Sequence, residues 1–246
     1  MKISIKKDNL ELGAAAGTLA AQMIRSAIAE KGNANIILAT GTSQFETLNQ
    51  LIREQDIDWG KVTMFHLDEY IGLPETAAAS FRSYLKERFL MKVPALAAVY
   101  LIDGETAPGA ECERLAAAIL GHPIDVALVG IGENGHLAFN DPPADFDTEV
   151  PYIVVSLDEN CRKQQLGEGW FPTLNDVPRQ AISMSVRQIM KSKCIICSVP
   201  DSRKAEAVKN SLKAAVSNSF PASILQLHPD CHLYLDSASA QLISAN

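Results

Sequence analysis

A histidine, a pair of adjacent carboxylates and a lysine stand at positions from which a sheet-based protein can do chemistry. His136 lies in Val129-Gly130-Ile131-Gly132-Glu133-Asn134-Gly135-His136-Leu137-Ala138-Phe139-Asn140-Asp141-Pro142-Pro143, just past the apolar run Ile124, Val126, Leu128, Val129. Such a run reads as a buried strand. The glycines that follow let the backbone turn tightly or approach a ligand closely. A lone histidine is more often structural. A histidine just beyond a strand end, where open α/β sheets bind ligands, is a candidate for proton transfer near neutral pH.

Three further junctions repeat the pattern. The apolar strand Lys61–Leu67 runs into Asp68-Glu69-Tyr70. Carboxylates at a strand end are candidates for a tuned base in a cleft, or for capping and turn chemistry ahead of Gly72 and Pro74. Thr40-Gly41-Thr42-Ser43 separates strand 35–39 from a helix over 44–54. Backbone N–H groups there fit a phosphate, and plain N-capping by Thr42 or Ser43 fits equally. No Lys-Ser/Thr follows as a Walker loop requires. Pro200-Asp201-Ser202-Arg203-Lys204 opens a helix to about Leu212, and cations in a first turn oppose the helix dipole unless an anion binds there.

These loops need strands to hold them. The pattern predicts strands at 2–6, 35–39, 61–67, 98–102, 124–130, 152–156, 180–186, 193–199 and 232–235. Helices are expected at 9–31, 44–54, 80–90, 108–120, 159–166, 187–191 and from about 203 to 212, with Gly32 and Asn33 ending the first. Segments 144–150 and 167–172 read as irregular. The alternation implies an α/β, Rossmann-like, mostly parallel sheet with helices on both faces. One domain over 1–246 is expected. Loops after strands 35–39, 61–67, 124–130 and 193–199 should gather at one carboxyl edge.

Composition narrows the partners. A net charge of −7 argues against generic nucleic-acid binding, so an anionic ligand needs a locally positive site. No apolar run reaches the length of a membrane span. Five cysteines, an odd number, fit a reduced compartment, and the cytoplasm is the expected location. Cys194-Ile-Ile-Cys197 has metal-like spacing but lies in a strand with no second pair, so it reads as structural. His66, His122, His228 and His232 lack a comparable loop and are read as structural too. A homo-oligomer is compatible with all of this.

Five segments, in order along nearly the whole chain, resemble the glucosamine-6-phosphate deaminase/isomerase family, which is related to the 6-phosphogluconolactonases. They are Ala39-Thr-Gly-Thr-Ser43, Phe65-His-Leu-Asp-Glu-Tyr-Ile-Gly-Leu73, Gly130 to Pro142, Ser202-Arg-Lys-Ala-Glu-Ala-Val208 and Phe220-Pro-Ala-Ser-Ile-Leu-Gln-Leu-His228. The resemblance implies conversion of glucosamine 6-phosphate and water to fructose 6-phosphate and ammonia, without metal or organic cofactor. It implies His136 as the ring-opening acid/base, Asp68 as the base that moves a carbon-bound proton, and Asp141 as the orienter of His136. Asn134 becomes a polar contact to substrate or His136. Gly41, Thr42, Ser43 and Lys204 match the phosphate cradle.

Three departures stand out. Asp141 replaces the glutamate of many members, one methylene shorter. Asn134 cannot take a proton as the aspartate of some members can. The region 164–171 lacks the arginine that helps hold phosphate in the family, and Arg162 and Lys163 lie just upstream. Basic residues of an allosteric phosphate site are missing after Pro143, so no such activation is expected. The competing readings are a sugar-phosphate lactonase, a deaminase or isomerase for another amino sugar phosphate, and a sugar-phosphate sensor. The last would normally carry a helix-turn-helix, and residues 1–34 offer none.

Overall fold

A computed structural model describes residues 1–213 and 215–243; residue 214 and the last three residues of the expected 1–246 domain lie outside the described residues. In chain order the strands and α-helices are β1 (Lys2–Lys6), α1 (Asn9–Lys31), β2 (Ala34–Leu38), α2 (Phe45–Leu51), β3 (Val62–His66), β4 (Asp68–Tyr70), α3 (Phe81–Arg88), β5 (Ala98–Tyr100) and α4 (Pro108–Leu120). They continue with β6 (Val126–Val129), β7 (Tyr152–Ser156), α5 (Glu159–Gly167), β8 (Gln180–Met184), α6 (Val186–Met190), β9 (Cys194–Val199), α7 (Ala205–Lys213) and β10 (Cys231–Asp236). Among the described residues no helix is long and apolar enough to cross a membrane.

Seven strands form one parallel sheet in the order β1-β10-β9-β6-β2-β3-β5. From β2 the chain proceeds to β3 and β5 on one side. From β6 it proceeds to β9 and β10 on the other. Connections thus diverge between β2 and β6, and a crevice opens at the carboxyl ends of such a pair. Every residue of β2, β3 and β9 is buried, as strands covered on both faces must be.

Side-chain alternation divides the core. Ile36 and Leu38 of β2 join Leu12, Ala16 and Ile24 of α1 and Leu48 of α2. Ile37 and Ala39 join Leu115 of α4, Ile189 of α6 and Val208 of α7 on the other face. Each fully buried aliphatic side chain contributes roughly 1.5–3 kcal/mol, so the two layers hold the sheet edge rigidly.

One expectation needs correction. Strands 152–156 and 180–186 do not extend the parallel sheet. β4, β8 and β7 make a separate antiparallel sheet of three strands, with Asp68 opposite Ser183 and Tyr152 opposite Met184. The cause is visible in β7, where only Tyr152 is buried and the other four residues are half-buried or exposed, as in a sheet with a wet face, unlike the fully buried central strands. This small sheet encloses a third apolar cluster that includes Tyr70, Phe81, Phe139, Cys161 and Phe171. Tyr70 contacts all three phenylalanines, with ring centroids 4.9, 5.2 and 5.5 Å away.

All five cysteines are free and buried. Cys194 and Cys197, three apart in a strand, belong to opposite core layers and cannot share an ion.

Candidate active site

The expected loops do gather. Residues 39–43 after β2, Leu67 and Asp68 after β3, Gly130, Ile131, Gly132, His136 and Ala138 after β6 and Lys204 after β9 line one cleft. Gly41, at φ 91°, turns the chain out of β2 into a 3-10 turn, Thr42–Gln44, that leads into α2. Gln44 fixes this loop to β6 by donating to the Val129 carbonyl at 3.1 Å, and the Tyr84 hydroxyl donates to the Gly41 carbonyl at 3.1 Å.

His136 is 7% exposed, and its Nδ1 lies 3.0 Å from Asp141 Oδ1. The other ring nitrogen has no hydrogen-bond partner among the described residues. Asn134 closes the brace: its Nδ2 donates to Asp141 Oδ1 at 2.9 Å, and its Oδ1 accepts from the His136 backbone N–H at 3.1 Å. Burial by itself would raise the Asp141 carboxyl, but hydrogen bonds from His136, Asn134 and the Asp158 N–H hold it below the usual carboxylate range. Asn134 and Asp141 stand behind His136 and do not line the cleft. Gly132 is obligatory here, because a Cβ at that position would fall 2.2 Å from the His136 ring. The shorter side chain of Asp141 therefore reaches its histidine.

Asp68 is 7% exposed, and its carboxylate has no hydrogen-bond or ion-pair partner among the described residues. Burial, helped by the neighbouring Glu69 charge, pushes it up to about 8. Glu69 has another fate. It is fully buried and accepts from the N–H groups of Tyr70, Phe81 and Arg82 at 2.9, 3.2 and 2.8 Å and from Ser80 Oγ at 3.1 Å. It caps α3 and pairs with Arg82 Nε at 3.5 Å, so only one of the adjacent carboxylates faces the cleft.

Lys204 is the cation of the cleft. It ends a 3-10 turn, Ser202–Lys204, ahead of α7, and is 6% exposed. Its ammonium makes no hydrogen bond or ion pair among the described residues, and burial lowers its pKa. Arg203 points elsewhere, paired with Asp201 at 2.9 Å and Glu133 at 3.4 Å. Arg162 and Lys163 do not replace the missing arginine. Arg162 binds the carbonyls of Leu174 and Val177, and Lys163 pairs with Glu159.

Three cleft residues on or beside α5 escaped the sequence reading: Gln164, Gln165 and Glu168. Gln164 accepts from the Glu133 N–H at 2.7 Å, and Gln165 accepts from the Tyr70 hydroxyl at 2.8 Å. Nothing in the polar sequence of α5 marked them; their burial is visible only in the structure. Cys161, deep in the third cluster, brings its sulfur within 4.8 Å of the His136 and Asp141 ligand atoms. Burial keeps that thiol protonated, so the group suits hydrogen bonding to Asp141 better than metal ligation.

A sequence profile of the glucosamine-6-phosphate isomerases/6-phosphogluconolactonase matches residues 7–233. The chain belongs to that family. A glucosamine-6-phosphate deaminase of Streptococcus suis (strain 05ZYH33) is 36% identical over 245 residues, 98% of each chain. One from Lactobacillus delbrueckii subsp. bulgaricus (strain ATCC BAA-365 / Lb-18) is 33% identical over 247 residues, 99% of this chain and 100% of that one. The solved structure of a monomeric glucosamine-6-phosphate deaminase superposes with a TM-score of 0.90 at 33% identity, covering 98% of this chain and 100% of the other. A putative 6-phosphogluconolactonase from Neisseria gonorrhoeae FA 1090 gives 0.78 at 21% identity over 96% and 99% of the two chains, a likeness of fold.

Proposed function

We propose that this family member converts glucosamine 6-phosphate and water to fructose 6-phosphate and ammonia. The observation that carries the reading is one cleft holding a braced histidine, a buried carboxylate without partners and a buried lysine without a counter-ion. Each has the environment its role needs. His136, oriented through Nδ1, exchanges a proton with the ring oxygen through Nε2 and opens the sugar. Asp68 takes the proton from C2, giving an enolamine, and the proton returns at C1. Water then adds to the resulting C2 imine and ammonia leaves. Lys204 and the N–H groups and hydroxyls of residues 41–43 hold the phosphate. Asn134 acts by holding His136 and Asp141. We assign the whole chain to one such domain and, on its buried reduced thiols, to the cytoplasm.

The deciding experiment is to incubate the purified protein with glucosamine 6-phosphate and measure ammonia and ketose phosphate. Both products are expected in equal amounts. Neither above background would sink the substrate, and lactone hydrolysis without ammonia would favour the lactonase chemistry.

Two further results are expected. With Asp68 at about 8, the base form grows as pH rises, so kcat/KM should climb through neutrality and level off only above about pH 8. A profile already flat at pH 6 would contradict a base in that environment. Second, Asp141→Glu should lower kcat/KM by about 10- to 100-fold, because the added methylene displaces a ring now held at 3.0 Å. A gain in kcat/KM would show that the aspartate is a defect.

A further inference from the structure

Glu168 brings a negative charge to the end of the cleft that an anion should occupy. It follows the last residue of α5, and its Oε2 lies 3.8 Å from where a Cβ on Gly41 would stand. Its Oε1 accepts from Gln164 Nε2 at 3.2 Å. Glu168 is half-buried and forms no ion pair among the described residues, yet it lines the same cleft as Lys204 and its charge favours the ammonium form there. Arg203, the other cation nearby, is already paired with Glu133 and Asp201. A buried ammonium without a counter-ion thus shares one cleft with a carboxylate without one. Gly167 and Gly169 flank this residue, and no neighbour comes within 4 Å of a Cβ built on either.

We propose that Glu168 is a specificity-determining residue that competes with the phosphate of the ligand for Lys204. It rests on the reading of residues 41–43 and Lys204 as the phosphate end. In a partly dry cleft, where charges are screened less than in water, the Glu168 carboxylate offsets part of the Lys204 charge that would otherwise attract a phosphate. The cleft therefore binds phosphate more weakly than its lysine and loop alone would.

The test uses inorganic phosphate as the probe, by calorimetry, with wild type, Glu168→Gln and Glu168→Ala. Both substitutions remove the charge, and the first keeps the shape. Each should tighten phosphate by about tenfold, equivalent to about 1.4 kcal/mol, and lower KM for glucosamine 6-phosphate in step. In a Lys204→Met background the same changes should gain less than about twofold, since the coupled partner is gone. Loss of a merely structural glutamate would not tighten binding. Phosphate affinity unchanged or weakened in both variants would overturn the proposal. So would a gain that persists in full without Lys204, or the absence of phosphate binding to every variant. A protein that releases no ammonia but binds phosphate more tightly as Glu168→Gln would sink the substrate reading and leave Glu168 in its role. Active enzyme with unmoved phosphate affinity would do the reverse.

Discussion

Asp68→Asn is expected to lower kcat for ammonia release by about 10³-fold with little change in KM, the loss typical of a positioned general base. The asparagine fits the same space and lacks only the basic lone pair. The substitution has a second signature. In the folded chain Asp68 titrates near 8, against 3.8 for an ordinary aspartate. Between those values the folded protein keeps a proton that the unfolded chain has released, so stability falls as pH rises from about 4 to about 8. Asp68→Asn should remove that decline, so its melting temperature should exceed that of wild type at pH 8 and approach it near pH 4. A variant that keeps wild-type turnover would exclude Asp68 as the base, whatever its titration.

Lys204→Met is expected to raise KM by roughly 150-fold, about 3 kcal/mol, in the range for truncating one partner of a buried charge pair. The same change should stabilise the empty protein. Lys204 is buried without a counter-ion, and burial already disfavours its charged form. An apolar side chain of similar length relieves that cost by about 1 kcal/mol, or roughly 2–4 °C in melting temperature for a chain of this size. Weaker binding together with a higher melting temperature is the outcome that marks a binding residue held against the interest of the fold. Lower stability and unchanged KM would make Lys204 a structural residue.

The loops of the cleft were legible because each follows an apolar run and begins with a change in chemistry, as at Leu67–Asp68 or Val129–Gly130. Their convergence followed from parallel alternation alone. The small sheet was not legible. β4 is three residues long and reads Asp-Glu-Tyr, with no hydrophobic pattern to announce a strand, and its antiparallel partners lie more than a hundred residues downstream. Local sequence carries no record of such pairing. The same limit explains Glu69, which looks like half of a catalytic pair until α3 places its first N–H groups on it. Trp170 and Phe171 could be read as lying under a lid or at a core edge; the structure packs Phe171 into the third cluster and Trp170 against it. Gln164, Gln165 and Glu168 were missed because a polar helix face looks the same in sequence whether water or a cleft covers it.

Four of the five buried cysteines have a use as internal clocks. Burial pushes the thiols of Cys194 and Cys231 up to about 12, and those of Cys161 and Cys197 higher still, so none of these four is reactive in the closed fold. A thiol reagent can therefore label them only when a region opens. Cys161 belongs to the small third cluster beneath His136, whereas Cys197 lies in the central parallel sheet. Of the two, Cys161 should be modified first, with Cys197 following only on global unfolding. The ratio of the two rates would measure how far the floor of the active site loosens independently of the sheet that carries its loops.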